Sequence, residues 1–211
     1  MEINAFTQLL GREKASAILR TDQQDAAALA MEAAIRGGFK VIEFTLTIPG
    51  VYELIEDFAH RPDVVVGAGT VLDTQQAERA VKAGAAYLVS PVFDGEVIEA
   101  GKRMGVATMP GTHTATEMLA AHRAGATFCK LFPAPGGGPT YVQAMLGPMP
   151  FLKIVPTHGV DHHNAAEWIS AGAFAVGFVA TLFEPAWLAT AQWEALEARA
   201  RDCLVAAQSS T

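Results

Sequence analysis

A chain of 211 residues, 51% hydrophobic and 18% charged, is long enough for one sizeable core and has the balance of an ordinary soluble globular protein. Its formal net charge of −7 argues against a general nucleic-acid or anionic-membrane binder, while leaving room for a small anionic substrate at a locally cationic pocket. No apolar run approaches the ~20 residues that cross a membrane, "MEINAFTQLLGREK" lacks the parts of a signal peptide, and Cys129 and Cys203 form neither a disulfide framework nor a zinc spacing, so a reducing cytoplasm is expected.

Along the chain one phrase recurs: a helix, a small-residue turn with glycine, then an apolar β-branched run. "ASAILR" reads as the first strand. "TDQQDAAALAMEAAIR" reads as an alanine-rich helix with Thr21 or Asp22 as its N-cap, and leads into "GGFKVIEFTL". "DVVVGAGT", "AVKAGAAYLVSP" and "GKRMGVATMPG" supply the third to fifth strands. "THTATEMLAAHRAG" offers a capping box from Thr114 and Glu117 before the sixth strand, "ATFCKLF". "FLKIVPTHG" is the seventh, "VDHHNAAEWISAG" a helix capped by Asp161, and "AFAVGFV" the eighth. Glycine after each helix supplies a left-handed stop. "AWLATAQWEALEARARDCLVAAQ" reads as one or two terminal helices, and the last few residues are expected to fray. Eight alternating units with continuous apolar strands predict one domain over residues 1–211, an α/β fold of the (β/α)8 TIM-barrel type with extra terminal helices. An open doubly wound sheet fits the alternation too, but no G-x-G-x-x-G follows the first strand.

In such a barrel the chemistry sits where strands run into their following loops. Side chains alternate along a strand, so Lys130 shares a face with Phe128 and Phe132, and Glu43 with Val41, Thr45 and Thr47. If Ile42 and Leu46 face the helices, Glu43 and Lys130 point inward near the mouth. There they join Arg20 at the end of "AILR", Thr70 and the turn "PTHG". A lysine in a dry aromatic pocket has a destabilised ammonium form, and its free amine attacks ketones to give an imine that withdraws electrons. A carboxylate nearby can move protons on adjacent carbons, and an arginine can grip a substrate carboxylate. Together these are the parts of an amine-based aldolase for 2-keto acids, which calls for no metal or other cofactor.

Each residue has a plainer reading. Lys130 could reach solvent from a strand end, Glu43 could be a buried ion-pair partner of Lys130 or Arg20, and Thr70 a turn hydroxyl. "GAGTVL" and "PGGGP" are not phosphate loops, because no G-K-[ST] follows. His158, His162 and His163 invite a metal reading. His162 and His163, placed in the first turn of a helix, cannot face one ion from a shared side, and no H-E-x-x-H or cysteine partner exists. His113 lies at another strand end, where it could touch the far end of a substrate or be a solvated loop residue.

These motifs resemble the 2-keto-3-deoxy-6-phosphogluconate (KDPG) and 4-hydroxy-2-oxoglutarate (KHG) aldolases over about residues 15–183, most specifically at "KLFPA" and "IEFTL". The resemblance implies a (β/α)8 barrel, a homotrimer, a small keto-acid substrate cleaved reversibly to pyruvate plus glyceraldehyde 3-phosphate or glyoxylate, Lys130 as the Schiff-base lysine and Glu43 as the proton-transfer glutamate. It also implies that Thr70, Pro91 and Phe132 line the pyruvate pocket. Two departures stand out. Thr47 occupies a position where many members have arginine, while relatives acting on the galactonate-derived substrate share "AILR", which makes Arg20 the candidate carboxylate clamp. "PTHG" and "AVGFVAT" replace the "PTGG" and "GGS"-like turns typical of phosphosugar members. This puts Thr157, His158, Gly159 and Gly177 at the substrate's far end and leaves phosphate binding there open. Two rival classes remain: a phosphate-binding barrel isomerase or synthase that uses Lys130 only as a charge, and a non-catalytic small-molecule-binding barrel.

Overall fold

Runs of two to five mostly buried residues form the strands, a helix separates each from the next except at one break, and every strand pair is parallel. The computed structural model describes residues 1–209. A six-stranded sheet contains β1 (Ala15–Leu19), β2 (Val41–Thr45), β3 (Val65–Gly69), β4 (Tyr87–Val89), β5 (Ala107–Met109) and β9 (Val176–Phe178), in the order β5-β4-β3-β2-β1-β9. A three-stranded sheet holds β6 (Gly111–Thr112), β7 (Cys129–Leu131) and β8 (Ile154–Pro156) in sequence order.

All eight expected strand segments are therefore strands, but the fifth is split and the pairing falls into two sheets rather than one eight-stranded ring. The split is at Pro110, which has no N–H to give to a ladder. Its carbonyl still accepts from Lys130 N at 2.9 Å. At the opposite side a single bridge, Thr157 to Gly177, connects the end of β8 to β9.

The strands have two kinds of face, as their alternation requires. Ile42, Phe44, Cys129, Leu131 and Ile154 pack into the larger core with the helices. Val41, Tyr87, Val89, Ala107, Met109, Phe128, Val155 and Ala175 turn the other way and meet Phe6 and Leu10. Those two residues belong to α1 (Ile3–Glu13), an element the sequence analysis did not assign. Phe6 is fully buried, stacked on Tyr87 at 4.5 Å between centroids and edge-on to Phe128 at 5.9 Å. Both partners stand at the start of their strands, so α1 closes that end and leaves the strands' C-terminal end for chemistry.

The helices between strands are α2 (Gln24–Arg36), α3 (Val51–Ala59), α4 (Thr74–Lys82), α5 (Gly95–Arg103), α6 (Ala115–Arg123), α7 (Thr140–Leu146) and α8 (Ala165–Ser170), followed by α9 (Pro185–Ala189) and α10 (Trp193–Gln208). Thr114 and Glu117 form the expected capping box on α6. Two expected caps are displaced. α2 begins at Gln24 behind Gln23, because Thr21 Oγ1 spends its lone pair on Gln23 N at 3.2 Å. Asp161 Oδ1 accepts from His163 N and Asn164 N at 2.8 and 3.0 Å, which closes a turn, and α8 starts only at Ala165. His162 and His163 therefore lie in that turn, ring centroids 3.8 Å apart and planes tilted by 40°, rather than sitting in a first helical turn. The fraying expected of the last residues falls on Ser210 and Thr211, outside the described residues.

Phe6→Ala removes the ring that fills the closed end. It should cost about 3–5 kcal/mol, the usual range for deleting a fully buried phenylalanine, measured by urea unfolding.

Candidate active site

Strands β2 and β7 each place one ionisable residue on the inward face, a step above Val41 and Phe128. Glu43 is 2% exposed and Lys130 6%. Backbone ladders fix both: Glu43 pairs with Ile18 of β1 and Gly67 of β3, and Lys130 with Gly111 of β6 and Val155 of β8. Lys130 Nζ lies 5.1 Å from the centroid of the Phe132 ring. Among the described residues it makes no ion pair, and Glu43 Oε1 is buried without a hydrogen-bond partner. The two buried side chains thus interact through their charges without being locked together as a structural salt bridge.

Burial drives both toward neutrality. The Lys130 amine is pushed below the ordinary lysine value by desolvation, with Glu43's charge partly restoring it and Arg20's lowering it further. Desolvation raises the Glu43 carboxyl, and the charges of Lys130 and Arg20 hold it back. Tyr87, buried beneath, donates its hydroxyl to Ile42 O at 2.8 Å, and its phenol is held well above its usual value by burial and by Glu43's charge.

Arg20, one residue past β1, is exposed and donates to Thr70 Oγ1 at 3.3 Å. Thr70 has φ 60°, a left-handed position rare for a β-branched residue, at the end of β3. Thr47 faces back onto Thr45, their hydroxyls 2.8 Å apart. Pro91 and Phe132 line a cavity of about 150 Å3 together with Thr112 and His113. His113 Nδ1 is 3.0 Å from Pro133 O, and its ring stacks on Tyr141. Thr157 is buried with its hydroxyl unpartnered, against Gly177, where a Cβ would come within 2.6 Å of Thr157 Cγ2. His158 (φ 58°) and Gly159 (φ 92°) make two consecutive left-handed residues, and the His158 ring stands edge-on to Phe132 at 5.9 Å. Among the described residues no three His, Cys, Asp or Glu side chains gather as a metal cluster.

The structure thus brings Glu43, Lys130, Phe132 and His158 into one chain of contacts and charge interactions, with Arg20 and Thr70 as a pair close enough to be felt by both ionisable groups. Pro91 reaches them through Phe132, and Thr157 with Gly177 through β8 and β9. Tyr87 was not singled out from the sequence, and the glycines of "GAGTVL" were weighed there only as a phosphate loop, not as packing gaps. Their signal was there: Gly67 and Gly69 are two residues apart and therefore leave gaps on a single face. The Tyr87 ring fills the first gap and the Glu43 carboxyl the second. Chemically, an amine poised to be neutral beside a carboxyl poised to exchange protons can add to a carbonyl and shuttle a proton on the resulting adduct.

Comparison with known proteins agrees with that chemistry. The KDPG and KHG aldolase family model matches residues 7–199. A probable 2-dehydro-3-deoxy-6-phosphogalactonate aldolase of Rhizobium meliloti (strain 1021) is 37% identical over 172 residues, 80% of this chain and 81% of that protein. A solved structure of native KDPGal aligns with a TM-score of 0.85 and 30% identity over 93% of this chain and 95% of its own. The KDPG aldolase of Legionella pneumophila, solved with pyruvate captured as a covalent carbinolamine, aligns with a TM-score of 0.84 and 25% identity, covering 92% and 96% of the two chains.

The electrostatics give a signed expectation. Acylation of Lys130, followed across pH by peptide mass mapping, should show an inflection below the ordinary lysine value of 10.5. Glu43→Gln removes the charge that raises the amine, so the inflection should move lower still; an upward movement would contradict this account.

Proposed function

The chain belongs to the KDPG and KHG aldolase family, and from that premise we propose that it cleaves a 4-hydroxy-2-keto acid to pyruvate and an aldehyde through an imine on Lys130. The observation that carries the reading is the buried Lys130 amine, pushed toward neutrality and without an ion pair among the described residues, beside a Glu43 carboxyl with an oxygen that has no hydrogen-bond partner among them.

The cycle starts with addition of neutral Lys130 Nζ to the C2 carbonyl, and loss of water gives an iminium. Glu43 as carboxylate takes the C4 hydroxyl proton. The C3–C4 electron pair becomes the C2=C3 bond of an enamine, the iminium π pair returns to nitrogen, and the aldehyde departs. Glu43, now protonated, delivers its proton to C3, and water releases pyruvate from the resulting iminium. A carboxyl raised by burial suits both halves of this shuttle, since it gives up and regains its proton nearer neutrality. The iminium itself is the electron sink.

Arg20 gives one donor to the Thr70 hydroxyl, and a guanidinium has further donors to offer a substrate carboxylate. Phe132 and Pro91 wall the pyruvyl end, and the unpartnered Thr157 hydroxyl faces the ligand beside Gly177. His158 and Gly159 border the departing aldehyde, which is either a phosphorylated triose or glyoxylate. We read the two sheets as one closed (β/α)8 barrel. The Thr157–Gly177 bridge and the Lys130 N–Pro110 O bond across the proline break support this. Exposed Leu72, Val92 and Phe93 on the loops after β3 and β4 favour a homotrimer, and two buried, unpaired thiols favour a reducing cytoplasm. No helix among the described residues is long and apolar enough to cross a membrane.

Incubation with pyruvate and borohydride should fix a reduced pyruvyl mass on the peptide carrying Lys130, and Lys130→Ala should lose both adduct and turnover. An isomerase or a pure binding protein would show no adduct. Glu43→Gln should still be trapped while turnover falls by about 10²- to 10⁴-fold, the usual share of a general acid–base group. Arg20→Ala should raise KM about 10- to 100-fold with a smaller change in kcat, as expected when a charged hydrogen-bond donor to the carboxylate is lost.

A further inference from the structure

We infer that Gly69 is a positioning residue: the space left by its missing side chain is what sets the Glu43 carboxylate beside the Lys130 amine. The inference rests on the aldolase reading above and concerns how that site is held. On β3 the inward positions are 65, 67 and 69, and the last two carry no side chain. A Cβ on residue 69 would overlap Glu43 Oε1, lie 2.8 Å from its Cδ and 3.0 Å from its Cγ. No other group comes among its nearest neighbours. The backbone there is regular strand in register with Thr45, outside the left-handed region, so the glycine does not answer a conformational need. Its one local function is the room it leaves.

That room matters because nothing else fixes the carboxylate at that oxygen. Oε1 is buried and accepts no hydrogen bond, so shape rather than polar contact places it. The Tyr87 ring fills the neighbouring gap at Gly67, and its hydroxyl is tied to Ile42 O, so the carboxylate cannot retreat downward. The two glycines therefore have different consequences. A methyl at 67 meets a rigid packed ring. A methyl at 69 meets the far end of a flexible side chain, which can swing aside while the strand stays paired. Gly69→Ala should leave the fold and the lysine intact and displace the proton-transfer group alone.

The test separates imine formation from proton transfer. Borohydride trapping of pyruvate reports the first, and deuterium exchange at pyruvate C3, followed by NMR, reports the second. In Gly69→Ala, trapping should stay within about twofold of the parent while C3 exchange falls about 10- to 100-fold, the loss expected when a general base is displaced by roughly an ångström. The acid limb of the exchange profile should move to lower pH, because a carboxylate displaced toward solvent or toward the amine loses part of what raises it. In a Glu43→Asp background the shorter side chain has already left the space, so adding Gly69→Ala should change exchange by less than about threefold. Unchanged exchange with an unchanged pH profile overturns the inference, as does an equal fall in trapping and exchange. If Gly69→Ala fails to fold, the pair with Glu43→Asp should fold, and an unfolded pair overturns the inference as well. A parent protein that traps no pyruvate overturns the aldolase reading itself and the inference with it, which is a different result from normal trapping in all variants.

Discussion

Two ionisable groups are held out of water, and neither is neutralised by a direct partner. Burying a charge costs several kcal/mol unless it is paired, so each group yields part of that cost by moving toward its uncharged form. This is the constraint to which the surrounding architecture answers. Phe128, Val155 and Tyr87 make a dry floor under Lys130 and Glu43, with Phe6 sealing it from below. The Arg20 guanidinium acts on both groups: its charge favours the carboxylate and disfavours the ammonium. Its charge therefore offsets part of the rise that burial gives the Glu43 carboxyl and adds to the fall of the Lys130 amine.

Space has to be made for this as well as charge. A closed or nearly closed parallel sheet fills its interior with large side chains, and two long polar ones fit only if neighbours give way. The inward glycines of β3 and β9 do so: Gly67 admits Tyr87, Gly69 admits Glu43, and Gly177 admits Thr157 with Ile18. Two of the side chains so admitted, Glu43 and Thr157, carry the unpartnered buried oxygens. Polar atoms left open in a packed interior are unfavourable in the empty protein and become useful when a ligand completes them.

Much of this was legible in the sequence because it depends on period. The alternation of "VIEFT" and "FCKLF" already sets Glu43 and Lys130 on the face opposite Ile42 and Leu131, and every expected strand segment is a strand. What escaped depends on neighbours distant in the chain. α1 is amphipathic, but its partner is the inner core of a barrel-like sheet rather than a layer beside it, so no adjacent strand announces it. Pro110 divides the fifth segment, and the second piece, Gly111–Thr112, has no apolar pattern to announce it as a strand. The displaced caps at Thr21 and Asp161 reflect competition: each oxygen closed a turn nearer at hand before it could serve a helix. The absence of a partner at Thr157 Oγ1 is a statement about three dimensions, with no one-dimensional trace.

The division between strand and loop also explains how the site can vary. Lys130 and Glu43 are fixed through backbone ladders on both sides, so the distance between them belongs to the fold. Arg20, Thr70 and His158 stand beyond the strand ends, and two of them occupy left-handed backbone positions that a packed loop must enforce. In the proposed cycle, changing these residues would alter what grips the ends of a substrate without moving Lys130 and Glu43. The departures at Thr47 and "PTHG" lie on this outer tier, while "IEFT" and "CKLF" lie on the inner one. On the proposed reading, bond-making is vested in geometry that the sheet cannot easily lose, and selectivity in side chains that a loop can exchange.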